Sequence, residues 1–281
     1  MEEFDLETLL EEANESLDIA QNIETTESTS AEEPIVENDV VARFQGAPWF
    51  KEMQKCACYI GGCGGIGSHL VFQLSRMHPY AINIWDDDRV EAVNMAGQFF
   101  SNKELHYYKS VAAQIMADTF SDYQTINAFT SKITASSYMN LPIKNTFTEA
   151  PYAIFFSCFD NMEARKVLFD RWYQYATTGG ASESVFIDGR LGFDTLQVFF
   201  ITLENAQTYK DRYLFSDKEA DATVCSMKQT TFMAAMIASI MINTLIVYLT
   251  NKAIKDEDLK VDVPFFTEYD STLMFFKTVY K

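Results

Sequence analysis

The sequence predicts an α/β fold of three layers: a mostly parallel sheet between helices, with antiparallel strands added on its C-terminal side. Three observations carry that prediction. Short apolar runs alternate with helix-length patterns from residue 56 to about residue 190, the succession that a parallel sheet with crossover helices requires. A turn with five glycines between Gly61 and Gly67 joins the first apolar run to the first helical pattern. Beyond Gly192 the crossovers give way to strand pairs, which suit antiparallel pairing at one edge of the sheet.

The first 40 residues stand apart from this body. Leu6, Leu9, Leu10, Ala13 and Leu17 recur at helical spacing in an acidic surround, the pattern of a short amphipathic helix. Residues 21–39 are rich in Thr, Ser and Glu, the composition of a solvated linker. Residues 1–40 are therefore read as an acidic, largely disordered arm that either docks on a partner or serves solubility, and residues 41–281 as one domain.

Within the domain, 56–61 form the first strand, 65–77 a helix and 81–86 the second strand. A helix over 109–120 precedes a third strand at 124–129, and 152–159 is a fourth strand with a helix running on to about residue 176. SVFIDGR starts a fifth strand, and TLQVFFITL, KVDVPFFTEY and TLMFFKTVY supply the antiparallel additions. The run FMAAMIASIMINTLIVYL, residues 232–249, is long enough to span a membrane. Its Ser239, Asn243 and Thr244, and the strand-like runs that follow, fit a helix buried in the domain or across a dimer interface. No membrane contact is expected.

A formal charge of -18 looks extreme until it is located. The first 40 residues carry 14 Asp and Glu and no Lys or Arg, which leaves 26 acidic against 22 basic residues in the body. Nothing there forms a basic stripe for nucleic acid. Five cysteines, at 56, 58, 63, 158 and 225, make no Cys-x-x-Cys pair and are odd in number, which argues against a zinc ribbon or a disulfide framework. A reducing, intracellular compartment is expected, and MEEFDLETLL lacks the features of a signal peptide.

Gly62, Gly64 and Gly67 make a Rossmann-like Gly-x-Gly-x-x-Gly turn. Such a turn folds tightly, lets the backbone approach a phosphate and packs a helix against a strand. Asp86 ends the second strand 19 residues after Gly67, where a carboxylate can accept hydrogen bonds from ribose hydroxyls. These two features alone would also serve an NAD-dependent oxidoreductase. That reading leaves Asn94, Gln98, Lys109 and Asp160 unexplained. Taken singly, Asp88 also suits a turn cap, Lys109 a surface charge at a helix start and Asp160 a helix N-cap.

The order matters more than any one residue. Gly62, Gly64, Gly65 and Gly67, then Asp86, Asp88 and Val90, then Asn94 and Gln98, then Lys109, and last Asp160, Asn161 and Arg165 resemble the ThiF/MoeB/HesA family, the adenylating fold shared with ubiquitin-activating enzymes. The resemblance covers roughly residues 45 to 250. It implies that ATP and the C-terminal carboxylate of a small ubiquitin-like or sulfur-carrier protein form an acyl-adenylate and pyrophosphate. On that resemblance the glycine turn and Lys109 contact phosphates, Asp86 fixes the ribose, Asn94 and Gln98 orient phosphate oxygens, and Asp160 holds Mg²⁺. Asn161 and Arg165 complete the nucleotide-side motif, and a homodimer is expected by analogy.

The chain departs from the family pattern at Gly97, where an Arg is expected, an Arg that looks like the charge donated to the neighbouring subunit's ATP. Arg43, Arg89 and Arg190 are candidate replacements, and a catalytically silent nucleotide-binding or scaffold protein is the alternative reading. Cys225, just before the long apolar run, stands where family members that transfer the activated protein to a thiol often have a cysteine. It is either a thioester-forming nucleophile or a structural residue. DGRLG, residues 188–192, is read as a loop at a strand end near the substrate tail, with Asp188 and Arg190 as possible contacts. The zinc-binding cysteine pairs of many members are absent, so no zinc is expected. The compact chain looks more like bacterial or phage forms, which implies the cytoplasm of a bacterial or phage-infected cell.

Overall fold

Every residue of β1 (Cys56–Gly61), β2 (Ala81–Trp85) and β4 (Tyr152–Ser157) is buried, because both faces of the sheet are covered and its central strands have no solvent side. The computed structural model describes residues 39–137, 152–178, 183–192, 194–215 and 230–280. Residues 1–38 of the arm read over 1–40, and Cys225, lie outside these residues; Asp39 and Val40 open the 3₁₀ helix Asp39–Phe44. The chain divides after Asn38, and the sheet belongs to the unit from Asp39 onward.

Eight strands form one sheet in the order β3-β2-β1-β4-β5-β6-β7-β8. β3 is Ile126–Phe129, β5 Val185–Leu191, β6 Thr195–Ile201, β7 Phe266–Asp270 and β8 Phe275–Val279. Pairing is parallel from β3 across to β5 and antiparallel from β5 to β8. The helices are α1 (Phe50–Met53), α2 (Gly65–Ser75), α3 (Lys109–Ser121), α4 (Met162–Thr177), α5 (Ala206–Tyr213) and α6 (Thr231–Ala253).

Alternation along the strands feeds two separate cores. Cys56, Cys58 and Ile60 of β1 pack with Leu70 and Leu74 of α2, Ala113 of α3 and Ile237, Met241 and Leu245 of α6. Ala57 and Tyr59 of the same strand pack with Leu168, Phe169 and Trp172 of α4 and Tyr209 of α5. Helices thus cover both faces, giving the three layers expected. The apolar helix α6 has a mean hydropathy of 2.1 over its best window and is by length and composition able to cross a membrane. Here its Met233, Ile237, Met241, Leu245 and Leu249 are core residues.

β1 sends the chain to β2 on one side, while β4 lies on its other side. The loops after β1 and β4 therefore part at a switch point, the place where such sheets bind ligands.

Two expectations need correction. Residues 188–191 do not form a loop: they continue β5, paired from Asp188↔Phe199 to Leu191↔Leu196, and Asp188 is fully buried. Gly189 marks the place where the Met241 side chain of α6 crosses the strand. The seventh strand begins at Phe266 rather than near Lys260. Pro264 has no N–H for a ladder, and Val261 exchanges both backbone hydrogen bonds with the Asn251 side chain of α6 (2.7 and 3.1 Å). Helix α5 was not foreseen.

Candidate functional site

A cleft of about 920 Å³ opens at the carboxyl ends of the parallel strands. Gly62, Gly64, Gly65, Asp86, Asp88, Asn94, Gln98, Lys109, Asp160 and Asn161 all line it. Residues nearly a hundred positions apart meet there because each follows a strand of one parallel sheet.

The glycine turn is built for close approach. Gly62 has φ +87°, favourable for glycine, and its N–H donates to the Trp85 carbonyl at 2.9 Å. A Cβ on Gly67 would overlap the Gly62 carbonyl, so Gly67 serves the packing of α2 on the turn and lies outside the cleft lining. Gly64 differs: near it lies only the Gln98 amide, 3.8 Å from where a Cβ would stand. Gly64 therefore leaves its backbone open to a ligand.

The acidic end of β2 is organised by backbone donors. Asp86 Oδ2 accepts from the Cys63 N–H at 2.6 Å and Oδ1 from the Asp88 N–H at 2.9 Å. Each oxygen retains a second acceptor site, so ribose hydroxyls can still donate to it. Burial pushes the Asp86 carboxyl above its ordinary value against those amides and Lys109. Lys109 opens α3, and its side chain is only 9% exposed. Its Nζ donates to Asp88 Oδ2 at 2.8 Å. Burial alone would lower the pKa of this ammonium, but the Asp88 hydrogen bond and the charges of Asp86 and Asp88 outweigh it and hold it above the usual lysine range. Lys109 is thus a fixed positive charge on the cleft wall.

Asn94 Oδ1 accepts from the Glu91 N–H at 2.9 Å, which orders the short 3₁₀ turn Ala92–Asn94 and leaves the amide hydrogens as what Asn94 can offer. Gln98 lines the cleft with its amide nitrogen toward Gly64, and its Oε1 is buried with no hydrogen-bond partner. At the opposite wall, Asn161 caps α4 by accepting from the Ala164 N–H at 2.9 Å. The capping role suggested for Asp160 therefore falls to its neighbour, and Asp160 stands exposed at the cleft with Asn161 donating to its Oδ1 at 3.2 Å.

Arg165 is not brought to the cleft. It is buried, in an ion pair with Asp188, and donates to the carbonyls of Phe159 (2.6 Å) and Gly189 (3.2 Å). The three candidate replacements for the expected arginine are also elsewhere. Arg190 is tied to Asp188 and the Tyr213 carbonyl. Arg89 donates to the His106 carbonyl and lies over the Tyr108 ring. Arg43 sits in the 3₁₀ helix Asp39–Phe44. No arginine lines the cleft among the described residues, and Gly97 itself does.

Two parts of the site were missed in the sequence. Ser131 to Ala135, which follow β3, form one wall together with Trp85, and the Trp85 and Phe129 rings stack at 4.4 Å. No motif marks this segment, although its place after a parallel strand could have found it. Gly61 was left without a role; a Cβ there would overlap the Phe159 ring. It lets the loops after β1 and β4 press together.

The fold and cleft define a Rossmann-like α/β protein with its site at the switch point of the sheet. The model of the ThiF family matches residues 37–281, and the chain belongs to that family. It is 25% identical over 155 residues to ubiquitin-like modifier-activating enzyme 5 of Bombyx mori, a match covering 51% of this chain and 38% of that protein. The chain thus spans well under half the length of this curated relative. Among solved structures, it resembles PaaA with a TM-score of 0.63 at 12% identity, over 96% of this chain and 83% of PaaA. It also resembles E. coli MccB solved with ATP, TM-score 0.58 at 13% identity, over 88% of this chain and 72% of MccB. At these identities the likeness is one of fold.

Proposed function

We propose that this protein activates a carboxylate by adenylation, joining AMP from ATP to the C-terminal carboxylate of a small protein or peptide. The observation that carries this reading is the convergence on one cleft of the glycine turn, Asp86, Gln98, Lys109 and Asp160. Family membership and the ATP complex of MccB support it, and MccB has also been solved with N-formylated MccA. A ubiquitin-like or sulfur-carrier protein is the finer proposal for the substrate.

In this reading a carboxylate oxygen of the substrate attacks the α-phosphorus, the bond to the β-phosphate oxygen breaks, and pyrophosphate leaves with the electron pair. Charge grows on the leaving group, and a preorganised cation there stabilises it. Lys109 supplies that cation, Gly64 and Gly65 offer backbone to the phosphates, and Asp86 holds the ribose. Mg²⁺ is bound through one or two carboxylates together with phosphates rather than by an all-protein cage. Asp160 fits that donor set, and among the described residues no group of three or more His, Cys, Asp or Glu is placed to hold a metal. Bound there with ATP, Mg²⁺ would neutralise phosphate charge.

ATP–pyrophosphate exchange with a panel of small proteins and peptides of varied C-terminus tests the reading: exchange should depend on one of them. Binding of ATP with no exchange for any partner favours the silent alternative, for which Gly97 speaks. Gly97→Arg should raise the exchange rate if the arginine expected at this position is the missing charge. A neutral or lower rate would mean that another group already fills the role.

A further inference from the structure

Asp188 is fully buried, and both of its oxygens are engaged. Oδ1 pairs with Arg165, while Oδ2 accepts from Arg190 Nε at 2.8 Å and the Tyr209 hydroxyl at 2.7 Å. A buried charge cluster of this kind adds little stability compared with apolar packing, so its use must be sought in what it holds in place.

What it holds is the loop after β4. Arg165 lies in the first turn of α4, outside the cleft lining, and spends one guanidinium nitrogen on the Phe159 carbonyl at 2.6 Å. Phe159 is the residue before Asp160, and its ring lies against Gly61 at the end of β1. The residue is therefore fixed at two points, its ring by β1 and its carbonyl by Arg165. On the other side, Arg190 reaches from Asp188 to the Tyr213 carbonyl at 2.8 Å, so the carboxylate is itself held between two anchored guanidiniums.

We infer that Asp188 is a positioning residue: through Arg165 it fixes the Phe159 carbonyl, and so sets where the Asp160 carboxylate stands in the cleft. This rests on the reading of the cleft as an ATP site. Neither Arg165 nor Asp188 touches the nucleotide; both act through Asp160.

Arg165→Lys separates positioning from stability. A lysine keeps the charge facing Asp188 but lacks the planar fork that reaches Phe159 at the same time. ATP affinity is measured by titration calorimetry with and without Mg²⁺, in the wild type, Arg165→Lys, Asp160→Ala and the double variant. Arg165→Lys should lose roughly tenfold of the Mg²⁺-dependent affinity, the scale typical of residues that orient a metal ligand. It should leave Mg²⁺-free affinity unchanged and add no loss to Asp160→Ala. If Arg165→Lys does not fold, Tyr209→Phe, which withdraws one donor from Asp188 and keeps the ring, should show the same selectivity at smaller amplitude. An unchanged affinity in a folded variant, an equal loss with and without Mg²⁺, or a loss that adds to that of Asp160→Ala overturns the inference. Absence of Mg²⁺-dependent ATP binding in the wild type overturns the reading beneath it and the inference with it.

Discussion

Replacing Lys109 by Ala is expected to lower ATP–pyrophosphate exchange by roughly two to three orders of magnitude, the usual loss when a preorganised group facing transition-state charge is removed. The Lys109 side chain is 9% exposed and held 2.8 Å from Asp88, so its position is set before any ligand arrives. Removal has a second effect. Asp86 and Asp88 line the same cleft, and without the ammonium their charges face a polyphosphate uncompensated. Both effects act on phosphate, so ATP affinity should fall along with the rate. Stability should change little, because Asp88 is 70% exposed and water can solvate it once its partner is gone. Exchange rates and thermal unfolding of the wild type and Lys109→Ala check this. Exchange within a factor of about three of wild type would remove Lys109 from the chemistry, since a lost charge-assisted contact is worth far more than that.

Asp188→Ala should instead act on stability, lowering the free energy of unfolding by about 3–5 kcal/mol, the range for breaking a buried charge cluster by removing one member. The guanidiniums of Arg165 and Arg190 would be left buried near one another without the carboxylate that now separates and pairs them. The Tyr209 hydroxyl would lose its acceptor as well. The Asp188 carboxyl shows the same balance: burial alone would raise its pKa, but Arg165 and then Arg190, with the Tyr209 hydrogen bond, hold it below the usual carboxylate range. Its contribution is therefore present at neutral pH and lost as pH falls through the lowered value. Urea unfolding of Asp188→Ala beside Asp160→Ala measures the difference. The exposed Asp160 should cost less than about 1 kcal/mol, as surface substitutions usually do. Equal losses for the two would mean that the cluster does not bear on the fold.

How much of this was legible depends on the physics behind each residue. The glycine turn, Asp86, Asp88 and Asp160 could be read together because a parallel sheet places the residues after its strands at one edge, and Lys109, which opens α3, is tied to that edge through Asp88. Asp160 suited either a helix cap or a metal ligand in the sequence; the cap is Asn161, which leaves the Asp160 carboxylate facing the cleft. Arg165 was misplaced for a related reason. Its spacing puts it one turn into α4, but only the packed neighbour strand shows that it reaches beneath the loop to Asp188. DGRLG misled in the opposite direction, reading as a loop where residues 188–191 continue a strand and Gly189 makes room for Met241 of α6. The wall from Ser131 to Ala135 carries no glycine, charge pattern or motif, so only the topology reveals it.

Adenylation carries the α-phosphate of ATP to a carboxylate, and isotope transfer follows that oxygen. A partner that supports exchange is labelled with ¹⁸O in its C-terminal carboxylate and incubated with the protein and ATP, and the nucleotide products are analysed by mass spectrometry after turnover. Pyrophosphate and AMP carrying one ¹⁸O from the substrate are expected, because attack on the carbonyl of the adenylate leaves the bridging oxygen on phosphorus. Unlabelled AMP, or ADP with inorganic phosphate, would contradict adenylation.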